Sequence, residues 1–348
     1  MRDVRAGFPA ADGIAEAVKG VTMQLRRGEI LGLIGETGSG KSVLGLSIPG
    51  LLPPEAEVSG SILYKGQDLL RLSPRRLRAI RGRDIALIPQ NPAASLNPVL
   101  TVGYQIMESL RLHRRLRRSA AREQAVRLLR KLNMPEPERK LKQYPFQLSG
   151  GMKQRVLAAI GVAGAPTLII ADEPTKGLDA MVRKQVVDLL RTAARSSGAS
   201  MLVITHDLHV AQSLCDRIGV MYAGRIVEEA PVRELFASPR HPYTRGLLAS
   251  IPGKGMKPIP GASPGLAEAV SGCAFHPRCQ ERLPECSSVL PGMTALAEEA
   301  ARPGPHGSGT AANGCQIKVR CLLYDSSRPA VQAVSQREME PAYIGRGR

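Results

Sequence analysis

One run of residues constrains this chain more than any other: Gly35-Glu36-Thr37-Gly38-Ser39-Gly40-Lys41-Ser42. It follows the apolar run Ile30–Ile34 and precedes a helix-forming stretch, Leu44–Leu51. It therefore reads as the turn from a buried strand into a helix. Gly38 and Gly40 let the backbone curl until several N–H groups face one point. The helix dipole opening near Lys41 adds positive potential there. Such a loop suits a polyphosphate. Lys41 offers a compact charge to β- and γ-phosphates, and Ser42 offers a hydroxyl to Mg²⁺. A chance Gly-rich turn is the bland alternative, and the strand–loop–helix context argues against it.

A second motif completes the site. The apolar run Leu168–Ala171 ends on Asp172-Glu173. Asp172 is placed to hold Mg²⁺ or its water, and Glu173 to act as general base or to orient the attacking water. Together the two motifs define a P-loop NTPase and nothing narrower. Further strands are expected at Ile85–Ile88, Met201–Thr205 and Ile218–Tyr222. Helices are expected at Ala121–Leu132, Met152–Ala163 and Met181–Ala194. Strands alternating with helices imply an α/β fold with a mostly parallel sheet.

Composition narrows the partners. The formal net charge is +18, which favours polyanions or an anionic membrane face. Aromatics are 3% of residues, with no Trp, which argues against a base-stacking nucleic-acid surface. No stretch reads as a bilayer span: Val156–Ile170 is interrupted by Gly161, Gly164, Pro166 and Thr167. The first residues lack the apolar core of a secretory signal, so a cytosolic location is expected.

Leu148-Ser149-Gly150-Gly151-Met152 supplies a second phosphate-facing helix N-terminus, with Ser149 as its N-cap. One subunit cannot easily place both anion sites on one nucleotide, whereas two subunits packed head to tail can. In this order the motif resembles the signature sequence of ATP-binding-cassette (ABC) proteins. The resemblance extends over about residues 5–335 and assigns further roles. Gln90 matches the Q-loop, which links the nucleotide site to a helical subdomain and is a further Mg²⁺ ligand. Pro174–Asp179 matches the D-loop, and His206 the switch histidine. Phe8 aligns with the aromatic that stacks on adenine, although the first strand looks truncated. Lys176-Gly177 departs from the usual small or hydroxyl residues of the D-loop; Lys176 either reaches across the dimer interface or faces water, and the latter is expected.

The resemblance implies a P-loop NTPase of ABC type. Its ATP-binding domain would span 1–250, with a helical subdomain at about 91–165. A small Cys-containing extension would follow at 251–335, and a loose tail at 336–348. It implies catalytic roles for Glu173, His206 and Gln90. Nucleotide contacts would come from Gly35 to Ser42, Phe8, Ser149, Gly150, Gly151 and Asp179, and Mg²⁺ contacts from Ser42, Gln90 and Asp172. Ala94–Pro98, Ser238–Thr244 and Gly272–Cys279 look like the importer ATPases for oligopeptides, dipeptides or nickel. Such a subunit hydrolyses ATP to drive uptake of peptides or a related small solute. It would sit peripherally on the cytoplasmic side of the inner membrane, near anionic lipid. Its partners would be a second ATPase subunit, two permease subunits and a periplasmic or extracellular solute-binding protein. The alternative is a soluble ABC-type ATPase acting on nucleic acid or ribosomes. With one cassette and no long heptad run, nucleic acid is not the expected partner.

Five of the six cysteines lie after residue 270, and Cys273, Cys279 and Cys286 are spaced C-x5-C-x6-C. Four thiolates fit zinc or an iron–sulfur cluster equally well on ligand count. The resemblance implies a four-iron four-sulfur cluster in some relatives, at positions matching Cys273, Cys279, Cys286 and Cys321. Cys315 competes for the last place, and reduced thiols in a loop-rich appendage are the remaining alternative. The cysteines are expected to be independent of the ATP site, because Lys41 and Glu173 belong to a different domain. Cys215 is expected in the core. The basic runs Arg75–Arg83 and Arg111–Arg118 are assigned to the helical insertion, either facing the membrane side or simply solvated.

Overall fold

The apolar residues of the central strands alternate in destination, and this sets the layers. In Ile30–Ile34, Ile30 and Ile34 enter one hydrophobic cluster while Leu31 and Leu33 enter another. Ile169 and Ala171 separate from Leu168 and Ile170 in the same way, as do Met201 and Val203 from Leu202 and Ile204. A pleated strand points successive side chains to opposite faces, so a sheet apolar on both faces must be covered on both.

The computed structural model describes residues 1–11, 13–251, 256–266, 268, 270–296 and 316–325. The expected tail 336–348 and Cys315 lie outside the described residues. The chain opens on β1 (Arg2–Ala10) and β2 (Gly13–Val21), then β3 (Ile30–Ile34), the glycine-rich loop and α1 (Lys41–Ser47). β4 (Glu57–Ser61) pairs with β1, giving a three-stranded antiparallel sheet in the order β2-β1-β4. A short hairpin, β5 (Leu63–Tyr64) and β6 (Gln67–Asp68), and α2 (Pro74–Ile80) lead to β7 (Ile85–Ile88). A helical stretch follows: α3 (Pro92–Ser95), α4 (Val102–Arg114), α5 (Arg118–Lys131), α6 (Pro137–Lys140) and α7 (Gly150–Ala163). Alternation resumes with β8 (Leu168–Asp172), α8 (Ala180–Ser197), β9 (Ser200–Thr205), α9 (Leu208–Leu214) and β10 (Arg217–Tyr222). β11 (Arg225–Pro231), α10 (Val232–Ala237), α11 (Pro242–Ala249), β12 (Thr294–Leu296) and β13 (Ile317–Val319) complete the regular elements.

The main sheet has eight strands in the order β12-β13-β11-β10-β3-β9-β8-β7. β10, β3, β9, β8 and β7 are parallel, and β11, β13 and β12 extend one edge antiparallel. α1 lies between the two sheets, with Leu44 and Ile48 in the same cluster as Val4, Val18, Leu31 and Leu33. On the other face Ile106, Leu110, Ala125, Leu129 and Val156 of the helical stretch join the core of Ile30 and Ile169. Burying each such Leu, Ile or Val contributes about 1.5–3 kcal/mol.

Three expectations are corrected. β1 is not truncated: it is a nine-residue strand paired on both sides. The helix after the loop runs Lys41–Ser47 rather than Leu44–Leu51, so it begins at the loop's last turn. Arg75–Arg83 is not in the helical insertion but on α2 and the turn before β7, where Arg81 Nε donates to the Pro49 carbonyl at 2.7 Å. Cys215 is in the core as expected, against Gly32, and burial pushes its thiol up to about 12. Among the described residues no helix is long and apolar enough to cross a membrane.

Candidate nucleotide site

The ends of three neighbouring parallel strands, β3, β9 and β8, converge the chemistry. The loop after β3 turns directly into α1, with Gly40 as its N-cap at φ 98°. A side chain there would be strained, and its Cβ would sit 2.2 Å from the Ala17 carbonyl of β2. The loop is thus pressed against the antiparallel sheet. Lys41 Nζ donates to the carbonyls of Gly35 at 2.8 Å and Glu36 at 2.7 Å, and to Ser39 Oγ at 3.3 Å. Burial pushes the Lys41 ammonium down from its ordinary value, while Glu173, Asp172 and Glu36 pull it back up.

β8 delivers the carboxylates. Ser42 Oγ donates to Asp172 Oδ1 at 3.1 Å, although the two residues are 130 positions apart. The pair is an oxygen-only donor set at the end of a buried strand, which fits Mg²⁺. Burial raises the Asp172 carboxyl, Glu173 raises it further, and Ser42 and Lys41 oppose them. A cation beside Asp172 would lower that desolvation cost. Glu173 takes a left-handed backbone, φ 46°, with its N–H donated to the Ile204 carbonyl at 2.8 Å. For a non-glycine residue this costs on the order of 1–2 kcal/mol. The turn brings Glu173 Oε1 within 2.7 Å of His206 Nδ1 and 3.1 Å of the His206 N–H. His206 sits at the corner between β9 and α9. Asp207 caps that helix and pairs with Arg183 at 2.8 Å, which fixes the corner.

The signature serine behaves as its sequence predicts locally. Ser149 is exposed and caps α7 by accepting the Met152 N–H at 3.4 Å. Gly151 packs α7 on α8, since a Cβ there would lie 2.7 Å from Val182 Cγ1. Gly150 is exposed. Asp179 is exposed, and its carboxylate caps α8 through the Val182 N–H at 2.9 Å. Lys176 is exposed. Gln90 follows β7 and is half-buried. Phe8 is half-buried on β1 opposite Ala15 and belongs to neither hydrophobic cluster. The structure therefore brings together Lys41, Ser42, Asp172, Glu173 and His206. Ser149 and Gly150 are exposed at the start of α7, and none of the hydrogen bonds described above joins them to these residues.

Sequence reading missed two residues that touch the loop. Tyr243 is fully buried, and its hydroxyl accepts the Glu36 N–H at 2.9 Å. The Arg278 guanidinium meets the Glu36 carboxylate at 2.9 and 3.1 Å. Tyr243 lies in the Ser238–Thr244 run and Arg278 in the Gly272–Cys279 run, and no spacing in either run links it to position 36.

The fold and site define an ATP-binding-cassette ATPase. Residues 18–176 match the ABC transporter family, and residues 227–286 match the oligopeptide/dipeptide transporter C-terminal region. The chain is 42% identical over 301 residues to the dipeptide transport ATP-binding protein DppD of Bacillus subtilis (84% of this chain, 90% of that protein). It is 41% identical over 296 residues to the oligopeptide transport ATP-binding protein OppD of Escherichia coli (84% of this chain, 88% of that protein). The dimeric post-hydrolysis structure of the cassette MJ0796 with ADP and Pi superposes with a TM-score of 0.60 at 29% identity, covering 67% of this chain and 97% of that one. The chain belongs to the ATP-binding subunits of the oligopeptide/dipeptide ABC transporters. These likenesses do not favour the nucleic-acid alternative.

Proposed function

We propose that this chain hydrolyses ATP to drive import of di- or oligopeptides. The observation that carries the chemistry is the pairing of Glu173 with His206 beside the Ser42–Asp172 pair at one end of the sheet. The loop and Lys41 receive the phosphates. Ser42 and Asp172, with Gln90, hold Mg²⁺, which neutralises charge developing on the phosphoryl oxygens when bound. Glu173 orients and deprotonates water, and His206 holds that carboxylate in place. Phe8 stacks on the base. The peptide assignment rests on the relatives' names and on the C-terminal match.

The exposed start of α7 supports head-to-tail pairing, in which Ser149, Gly150 and Gly151 of one subunit close on the loop of another across the D-loop at Asp179. The subunit would join two permeases on the cytoplasmic side of the inner membrane, near anionic lipid and supplied by a solute-binding protein. Ser149→Arg tests the pairing. ATP binding to the isolated chain, measured by calorimetry, should be unchanged, and hydrolysis by the assembled transporter should stop. Full hydrolysis in the variant transporter would refute the pairing.

The cysteines support a narrower reading: a four-iron four-sulfur cluster on Cys273, Cys279, Cys286 and Cys321. Burial, with neighbouring Cys273, Cys279 and Cys286 adding to it, lifts the Cys321 thiol to about 12, so the four share one neighbourhood. Among the described residues no three His, Cys, Asp or Glu side chains already converge as a metal-binding group. Loading would have to draw the thiols together and deprotonate them. Anaerobically purified protein should be brown, with about four irons per chain. Colourless protein with one zinc, or with no metal, rejects the cluster.

A further inference from the structure

The expected independence of the cysteine segment from the ATP site is not what the contacts show. Arg278 immediately precedes Cys279, yet its guanidinium is spent on the phosphate loop 242 residues earlier. Nη1 donates to Glu36 Oε2 at 2.9 Å and Nη2 to Glu36 Oε1 at 3.1 Å, a two-pronged fit to one carboxylate. Nη1 also reaches Ser263 Oγ at 3.0 Å and the Tyr222 hydroxyl at 3.3 Å, and Nε donates to the Pro260 carbonyl at 2.9 Å. Ser263 Oγ donates to the same Glu36 carboxylate. The Arg278 side chain is only 7% exposed, and it lies over the rings of Tyr222 and Phe275.

Glu36 is an odd occupant of a loop that receives a polyanion. Left alone, its charge would repel the phosphates. We propose that Arg278 is a positioning residue for ATP: it cancels the Glu36 charge and holds the loop open for the phosphates, so the C-terminal segment sets the affinity of the nucleotide site. This inference rests on the reading of Gly35–Ser42 as the ATP site. Four residues fix Glu36. Arg278 and Ser263 take its carboxylate, Tyr243 takes its N–H at 2.9 Å, and Lys41 takes its carbonyl at 2.7 Å. Burial opposes ionisation of Glu36, yet Arg278 and Ser263, with a weaker pull from Lys41, hold its carboxyl below the usual range. The carboxylate is therefore charged, and Arg278 is the cation that meets it.

Charge cancellation makes a prediction that simple scaffolding does not. In R278Q the Glu36 charge is released beside the phosphates, and ATP should bind the full-length chain about tenfold more weakly or worse by calorimetry. In E36Q the repulsion is gone, so the loss should be small. E36Q/R278Q should then recover to within about twofold of E36Q, because nothing remains to be cancelled. R278K keeps the charge without the fork and should fall between wild type and R278Q. In the assembled transporter R278Q should raise KM with kcat largely kept, since the loop binds ground and transition states alike. Unfolding midpoints of each variant separate misfolding from loss of affinity. If R278Q does not fold, the comparison of R278K with E36Q/R278K carries the same test. ATP affinity unchanged in R278Q, or a double variant as weak as R278Q, overturns the proposal. Wild-type protein that binds no ATP would instead overturn the underlying reading of the loop.

Discussion

The strand-end site and the cysteine-bearing C-terminal segment touch at Glu36 but are built on opposite plans. The site residues sit on short corners after parallel strands, so the sheet order β3-β9-β8 places Lys41, His206 and Glu173 by register alone. The C-terminal segment has three-residue strands and short 3₁₀ turns instead. It attaches through an aromatic cluster in which Phe275 meets Tyr222 at 5.3 Å, Tyr243 at 5.4 Å and His241 at 5.9 Å. The chain has only 4 Phe and 7 Tyr, so three of its few large aromatic rings gather at this one joint. A site carried by regular structure can be read locally. A segment carried by packing against that structure can be read only once the partner surface is known.

The largest effect should come from the strand-end site alone. Glu173→Gln keeps the shape of the corner but removes the base, and loss of a general base costs about 10²–10⁴ in rate. ATP binding to the isolated chain should persist while turnover in the assembled transporter falls by that factor. Wild-type turnover in the variant would remove Glu173 from the mechanism. It would also remove the contrast between a chemical end of the sheet and a supporting segment.

A second change strikes the seam between the two plans. Arg217 on β10 is 4% exposed and donates to Glu29 at 2.7 and 3.0 Å and to Glu229 of β11. Glu229 also lies 3.8 Å from Lys318 of β13, so one guanidinium ties the central strand to the added edge. Burial raises the Glu29 carboxyl, but Arg217 and Arg26 together hold the group below the usual range. Arg217→Met strands two buried carboxylates, which costs about 3–5 kcal/mol. Urea midpoints should drop accordingly. A loss under about 1 kcal/mol would mean the carboxylates find water or Lys318 instead.

How much was legible follows the same division. Gly35–Ser42 and Asp172-Glu173 could be read because each motif is contiguous and the chemistry fixes the residue types. Their meeting, Ser42 with Asp172, needed only the inference of a parallel sheet. The antiparallel sheet was not legible: β1 reads RDVRAGFPA, with Gly and Pro in place of clear apolar alternation. Its strand character comes from pairing with β2 and β4. β13 and β12 were hidden for a similar reason, being three residues each and paired onto β11. Arg278 was visible only as a residue between two cysteines, because no spacing rule links it to position 36. The C-x5-C spacing drew attention to the thiols, while the contact with the ATP loop lay in the arginine beside them.

The effect that is smallest at neutral pH, and grows only on acidification, probes the joint rather than either side. His241 is 1% exposed, caps α11 by accepting the Tyr243 N–H on Nδ1 at 3.0 Å, and packs on Phe275. An imidazole that accepts on Nδ1 must be unprotonated there. Burial, with Arg245 adding to it, pushes its pKa down from 6.5 to about 3. The folded value is depressed, so this stability is fully present above pH 6.5 and is lost as pH falls toward 3. Over that window the unfolded chain gains a proton that the folded chain refuses, at about 1.4 kcal/mol per pH unit. His241→Asn keeps an acceptor near the Nδ1 position but removes the titration. Unfolding free energies measured from pH 7 to pH 4 should fall less steeply in the variant, by about that slope. Identical slopes for wild type and His241→Asn would show that the joint does not carry the acid sensitivity.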